Sequence, residues 1–247
     1  MSDHPIVLKN MLVKVNRSVR NIDLGLMDYQ EAWDYQENLF DEIVSIKESN
    51  RKADIKKPTP NFLLYCQHPH VYTLGKSGKM DNLLFSEDFL KSKGAQLYRI
   101  NRGGDITYHG PGQVVGYPIL DLDNFGLSIK SYIHSLEEVI IKTLKHFNII
   151  ATRSDGATGV WLDPNDPVKA RKICAIGVRT SHWVSMHGFA FNVNTDLDFF
   201  GFIVPCGIQG KAVTSLKKEL GREIDIKEVQ QILNLEFGKI FKMNIEF

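Results

Sequence analysis

The chain has 247 residues, 43% of them hydrophobic, and its 30 Lys and Arg stand against 29 Asp and Glu for a formal charge of +1. This is an ordinary globular composition with length for a substantial core, in one large domain or two small ones. The balanced charge argues against a dedicated binder of nucleic acid or anionic membrane. The odd set Cys66, Cys174 and Cys206 excludes a disulfide framework and fits a reducing compartment. No apolar run approaches the roughly 18 residues of a membrane helix, and the start Met1-Ser2-Asp3-His4-Pro5 lacks a secretory pattern. These features predict a soluble cytoplasmic protein.

In chain order, residues 6–15 predict a short strand, and Asn21-Ile22-Asp23 is expected to lead into an amphipathic helix. Tyr29, Trp33, Gln36, Phe40 and Val44 recur at helical spacing there. Residues 47–60 are charged and end in Lys57-Pro58-Thr59-Pro60, an exposed loop. Residues 61–66 and 71–74 read as strands. Next comes Arg102-Gly103-Gly104-Asp105-Ile106-Thr107-Tyr108-His109-Gly110-Pro111-Gly112-Gln113, between apolar runs at 97–100 and 114–120. Glycine admits close backbone approach, so four glycines beside Arg102, Tyr108 and His109 predict a strand–loop–strand that walls a site. A glycine-rich hairpin is the plainer alternative.

Residues 128–147 form the clearest helix, with Ile129, Tyr132, Ile133, Leu136, Ile140, Leu144 and Phe147 on one stripe. Short strands follow at 159–162, 173–178 and 188–193, then a turn region at 196–200 and a closing helix at 226–240. There is no repeat and no clean linker, which favours one α+β domain over residues 1–247.

Two motifs fail on their own terms. Gly75-Lys76-Ser77 resembles the end of a phosphate loop, but His70 occupies the position where its first glycine is required. Cys66, His68 and His70 alternate as metal ligands on a strand would. No second ligand pair follows, and no metal is expected. Among the thiols, Cys206 lies in Pro205-Cys206-Gly207, a constrained turn that could present its sulfur to a cleft, whereas Cys174 and Cys66 sit in strand patterns and read as core. A reactive thiol needs a cation to favour the thiolate. Lys172, at the head of an apolar strand, is a candidate, although most lysines at strand ends are surface residues.

Four segments in order resemble the lipoyl(octanoyl) transferase family. They are residues 102–113, Lys172-Ile173-Cys174-Ala175-Ile176-Gly177, His187-Gly188-Phe189-Ala190-Phe191-Asn192-Val193 and Pro205-Cys206-Gly207-Ile208. Gln67-His68-Pro69, Val71-Tyr72-Thr73-Leu74-Gly75 and Val213-Thr214-Ser215-Leu216 agree as well. The resemblance is strongest over 61–216. Cys174 and His70 depart from it, standing where relatives commonly carry a small non-thiol residue and proline.

The resemblance implies an α+β (α/β) fold of the biotin and lipoate protein ligase type, with mixed sheets packed with helices. It implies transfer of an octanoyl group from octanoyl-acyl carrier protein to a lysine of a lipoyl domain, with no cofactor. The implied acceptors are the lipoyl domains of 2-oxoacid dehydrogenase E2 subunits and the glycine cleavage H protein. By motif position Cys206 matches the acyl-thioester nucleophile and Lys172 the lysine that lowers its pKa. Substrate-binding positions map onto Arg102, Gly103, Gly104, Asp105, Ile106, Thr107, Tyr108 and His109, onto Ala175, Ile176 and Gly177, and onto Gly188, Phe189 and Ala190. Lys211, Lys217, Lys218 and Arg222 are candidates for docking an acidic carrier. An ATP-dependent ligase on the same fold would not need Cys206. A non-catalytic scaffold would bind the carrier without turnover.

Overall fold

The computed structural model describes residues 15–204 and 212–247. Cys206 and its neighbours in Pro205-Cys206-Gly207-Ile208, Lys211, and all but the last residue of the strand expected at 6–15 lie outside them. The elements in order are β1 (Ser18–Leu26), α1 (Tyr29–Asn50), β2 (Phe62–Gln67), β3 (Val71–Leu74), α2 (Glu87–Ser92), β4 (Gln96–Arg99), β5 (Ile106–His109), β6 (Gln113–Ile119) and α3 (Ile129–His146). They continue with β7 (Thr152–Ser154), β8 (Ala157–Leu162), β9 (Arg171–Ser181), β10 (Val184–Asn192), β11 (Ala212–Val213), α4 (Leu216–Leu220), α5 (Ile226–Phe241) and β12 (Asn244–Glu246).

Among the described residues a large mixed sheet runs β12-β1-β2-β6-β10-β9-β8-β7, with β11 added beside β9, and a small sheet runs β4-β3-β5. Helices cover both faces of the large sheet, and the alternation of side chains shows why. Along β2, Leu63 and Tyr65 join the core under α3 and α5, while Phe62, Leu64 and Cys66 join the core under α1. On β6, Val114 goes to the first core and Val115, Tyr117 and Ile119 to the second. A strand sends successive side chains to opposite faces, so runs that are apolar throughout demand a helix layer on each. Each large apolar side chain so buried contributes about 1.5–3 kcal/mol. The 3-10 turn Leu197–Phe202 packs Phe200 into the core of the small sheet.

The helices begin where the sequence caps them: Asp28 accepts from the Gln30 amide, Ser128 from Ser131 and Asp225 from Lys227. The expected α3 stripe is buried at Tyr132, Leu136, Ile140 and Leu144, but Ile129 is exposed at the first turn. Two expectations are corrected. Residues 21–23 lie inside β1, which pairs in parallel with β2 and β12. Only Val19 of β1 is fully buried, so the strand has no apolar alternation to reveal it. Helix α1 also continues to Asn50, three residues beyond the expected start of the loop at 47.

Candidate active site

A cavity of about 380 Å³ opens between the large and small sheets. Its floor is made by β9 and β10, whose register places Ala175 opposite Ala190, Ile176 opposite Phe189 and Gly177 opposite Gly188. Two segments on the arms of one hairpin, which turns at His182-Trp183, thereby become one cross-strand patch. The facing wall carries Arg102, Gly104, Asp105, Ile106, Thr107 and His109. A Cβ on Gly177 would lie 3.0 Å from both Arg102 Cδ and the Gly103 carbonyl oxygen. Glycine there lets the loop lie directly on β9, where the Gly103 amide donates to the Val178 carbonyl at 2.9 Å.

Gly103 and Tyr108 are not among the lining residues. Gly103 anchors the loop through its main chain. Tyr108 is fully buried, stacks on Phe199 at 5.1 Å and shares a 2.7 Å hydrogen bond with His70 Nδ1. Ser77, from the segment that fails as a phosphate loop, lines the cavity. That turn is stitched to the glycine loop by three main-chain bonds: Gly75 to Asp105, Lys76 to Arg102 and Ser77 to Gly104.

Lys172 is the second residue of β9 and lines the cavity, only 8% exposed. It is not the surface lysine that its place at a strand end suggests. Its Nζ donates to the Thr158 carbonyl at 3.1 Å and sits 4.7 Å from the centre of the Trp161 ring. Both contacts fix the position of the amine at the cavity wall. They come from β8, which crosses β9 closely because Gly159 (φ +121°) replaces a Cβ that would lie 2.5 Å from the Cys174 carbonyl oxygen. The Gly159 amide is held by Glu137 Oε1 at 3.0 Å, and Glu137 Oε2 by Arg153 at 3.0 Å. Cys206 lies outside the described residues. The flanking Val204 amide donates to the Asn82 carbonyl at 2.8 Å, and Val213 pairs with Lys172 itself. Cys174 is fully buried, and burial raises its thiol pKa far above the ordinary value.

A line of buried polar groups joins the loop to β9. Arg102 donates to the Thr73 carbonyl at 2.7 Å and to Thr73 Oγ1 at 2.9 Å. The Thr73 hydroxyl lies 3.3 Å from His109 Nε2, and His109 Nδ1 lies 2.9 Å from Gln113 Oε1. Gln113 Nε2 donates to Asn192 Oδ1 at 2.9 Å, and Asn192 Nδ2 donates to the Thr214 carbonyl at 3.0 Å. With each amide nitrogen committed, His109 carries its proton on Nδ1 and accepts from Thr73 on Nε2. Burial, with the nearby His68 and the Arg102 charge, pushes the His109 pKa down to about 3.

Cys66, His68 and His70 do not converge. Cys66 Sγ lies 3.3 Å from His68 Nε2, but His70 turns to Tyr108. Among the described residues no group of three His, Cys, Asp or Glu is placed to hold a metal.

Residues 28–238 match the family model of the lipoyl protein ligase A/B catalytic domain. The chain belongs to this family. Curated relatives match over most of the chain. The chain is 57% identical to an octanoyltransferase of Christiangramia forsetii, over 94% of this chain and 100% of the relative. It is 56% identical to one of Flavobacterium psychrophilum, over the same shares. Among solved structures, lipoate-protein ligase A bound with ATP superposes with a TM-score of 0.68 at 16% identity, over 93% of this chain and 87% of that one. A bipartite lipoate protein ligase from Thermoplasma acidophilum gives 0.66 at 16%, over 94% and 86%. At such identities these structures show the shared fold, which is the mixed-sheet, helix-covered fold that the sequence implied. In this member of the lipoyl ligase A/B family, sequence reasoning missed Tyr29, Tyr117, His187, Asn192 and Val213 as cavity residues. Tyr29 comes from α1, and its place on the buried stripe gave no sign that it reaches a cavity.

Proposed function

We propose that Cys206 and Lys172 carry octanoyl transfer by this chain, from octanoyl-acyl carrier protein to a lysine of a lipoyl domain. Octanoyl transfer in protein lipoylation is the activity of the chain. The pair, the substrate-binding segments and the named acceptors are our reading. What carries it is Lys172, buried in the wall of a cavity whose floor and loop are the segments expected to bind substrate. The glycine-lined floor with Ile176 and Phe189 suits an apolar acyl chain.

In the first step the Cys206 thiolate attacks the carbonyl carbon of the octanoyl thioester. A new carbon–sulfur bond forms, the bond to the carrier sulfur breaks, and the departing carrier thiolate takes up a proton. In the second step the neutral amine of the acceptor lysine attacks the acyl-Cys206 carbonyl. A carbon–nitrogen bond forms, the Cys206 thiolate leaves, and the nitrogen loses a proton. Two successive encounters replace one three-body meeting of enzyme, donor and acceptor. Lys172 favours the thiolate by its charge, and proton transfer at its amine serves both steps. Thioester to amide is downhill, so no nucleotide is needed. Main-chain amides of the glycine loop are candidates to stabilise the tetrahedral oxyanion.

The unbroken family match over 28–238 supports reading the chain as one catalytic domain. Among the described residues no helix is long and apolar enough to cross a membrane, and we place the reaction in the cytoplasm. Acceptors are the lipoyl domains of 2-oxoacid dehydrogenase E2 subunits and the glycine cleavage H protein.

The test is intact mass spectrometry after incubation with octanoyl-acyl carrier protein, with the adduct mapped to a residue. An octanoyl adduct on Cys206 that a lipoyl domain discharges is the expected result, and Cys206→Ala forms none. Transfer that persists in Cys206→Ala, or an adduct elsewhere that turns over, refutes the assignment.

A further inference from the structure

The motif Val213-Thr214-Ser215-Leu216 belongs to the family resemblance but has no role in the chemistry above. Thr214 is fully buried and uses every polar atom it has. Its amide donates to the Lys172 carbonyl at 2.9 Å, its hydroxyl donates to Glu219 Oε1 at 2.5 Å, and its carbonyl accepts from Asn192 Nδ2 at 3.0 Å. The three partners belong to three different parts of the site. Lys172 is the proposed activating residue. Glu219, on α4, grips Arg171 through two bonds of 2.7 Å and so clamps the first residue of β9. Asn192 is the last link of the line that reaches back through Gln113 and His109 to Arg102.

We propose that Thr214 is the positioning residue that holds Lys172 in register with β11 and with the glycine loop. The inference rests on Lys172 and Cys206 acting as a pair. An ion pair's energy falls with separation, so Lys172 favours the thiolate only while its own place on β9 is held. The line of hydrogen bonds also has a fixed direction. Asn192 can offer the Thr214 carbonyl only its Nδ2, because a carbonyl needs a donor and Oδ1 only accepts. A leucine of similar size has no donor for the Thr214 carbonyl and breaks the link without adding charge to the cavity that Asn192 and Lys172 both line.

The experiment measures alkylation of Cys206 by iodoacetamide against pH in the full-length protein, with the modified residue mapped by mass spectrometry. The midpoint of that profile reports the thiol pKa, which general loosening of the fold would not move in a set direction. Thr214→Val and Asn192→Leu are expected to raise the midpoint by about one pH unit, since an opposite charge within contact range is worth about that much or more. Thr214→Ser keeps the hydroxyl and the wild-type midpoint. Octanoyl transfer by the first two variants falls about tenfold in kcat, the same factor as the thiolate lost per pH unit, with KM for the carrier unchanged. An unmoved midpoint in Thr214→Val and Asn192→Leu overturns the positioning role; if Thr214→Val does not fold, Asn192→Leu decides alone. Lys172→Ala is the reference. If it too leaves the midpoint in place, the Lys172–Cys206 pairing itself fails and the positioning role falls with it. A shift in Lys172→Ala alone retains the pair and rejects Thr214.

Discussion

Two regions of this molecule bring a titratable side chain into a buried polar setting, and they differ in whether that side chain reaches the cavity. At the junction of β2 and β3, Cys66 Sγ meets His68 Nε2 at 3.3 Å, and Tyr117 OH meets the same nitrogen at 2.8 Å. On contacts alone this is a thiol–imidazole dyad. Burial raises the Cys66 thiol pKa far above its ordinary value and pushes His68 down to about 4, so both stay neutral and no thiolate forms. Lys172 is also buried, but it lines the cavity, where a carbonyl and an aromatic face hold its amine. Contact between a thiol and a base does not make a nucleophile. The thiolate is the attacking species, and a cation beside an exposed thiol is what favours it.

The largest expected difference between the two regions is in catalysis. Lys172→Ala should lower octanoyl transfer by about 10²–10⁴, the usual range for a lost acid–base group, whereas Cys66→Ala should leave the rate unchanged. A Cys66→Ala enzyme that loses transfer to the same degree would erase the contrast. Next is labelling: native protein at pH 8 should be alkylated at Cys206, with Cys66 and Cys174 modified only after unfolding. Rapid native labelling of Cys174, which lies two residues from Lys172, would move the nucleophile to β9.

A smaller effect concerns acid. His68 is held down to about 4, His109 to about 3 and His187 to about 3, in each case by burial first. Between those values and about 6.5 the unfolded chain binds these protons and the folded chain does not. Stability therefore rises with pH across that window and is lost as pH falls through it. Urea midpoints at pH 7 and pH 4.5 check this, and equal midpoints would show that the histidines are not held neutral. The smallest effect is at the surface. Lys217 is exposed and paired with Glu223 at 2.8 Å, so Lys217→Ala should change stability by no more than about 0.5 kcal/mol. Any change in KM for the carrier would therefore report docking.

Much of this architecture was legible because local signals agreed. Ser128 caps α3 and Asp225 caps α5, and the apolar runs of β2 and β6 read as strands, which the structure buries on both faces. Failures arose where burial was partial or contacts were remote. β1 shows one fully buried residue in nine, which leaves no periodicity to read. The glycine loop was recognisable as a wall, and the two triplets on β9 and β10, expected to bind substrate, line the same cavity. Their apposition depends on the register of a hairpin whose turn, His182-Trp183, holds both residues at positive φ without the glycine or asparagine that would announce it. Tyr108 shows the limit from the other side. It stands within a run whose neighbours Thr107 and His109 line the cavity, yet its ring belongs to the core of the small sheet. Asn192 and Thr214 became meaningful only once their hydrogen bonds could be traced.

The stitching of the Gly75-Lys76-Ser77 turn to the glycine loop has a practical consequence. Because the three main-chain bonds join the turn after β3 to the wall of the cavity, a change in the turn is carried to that wall. Lys76, whose side chain is exposed and is not a lining residue, offers a handle for adjusting cavity width without altering any group that lines it. Stiffening substitutions there are a route to engineered acyl-length selectivity, with the thiol and its lysine left untouched.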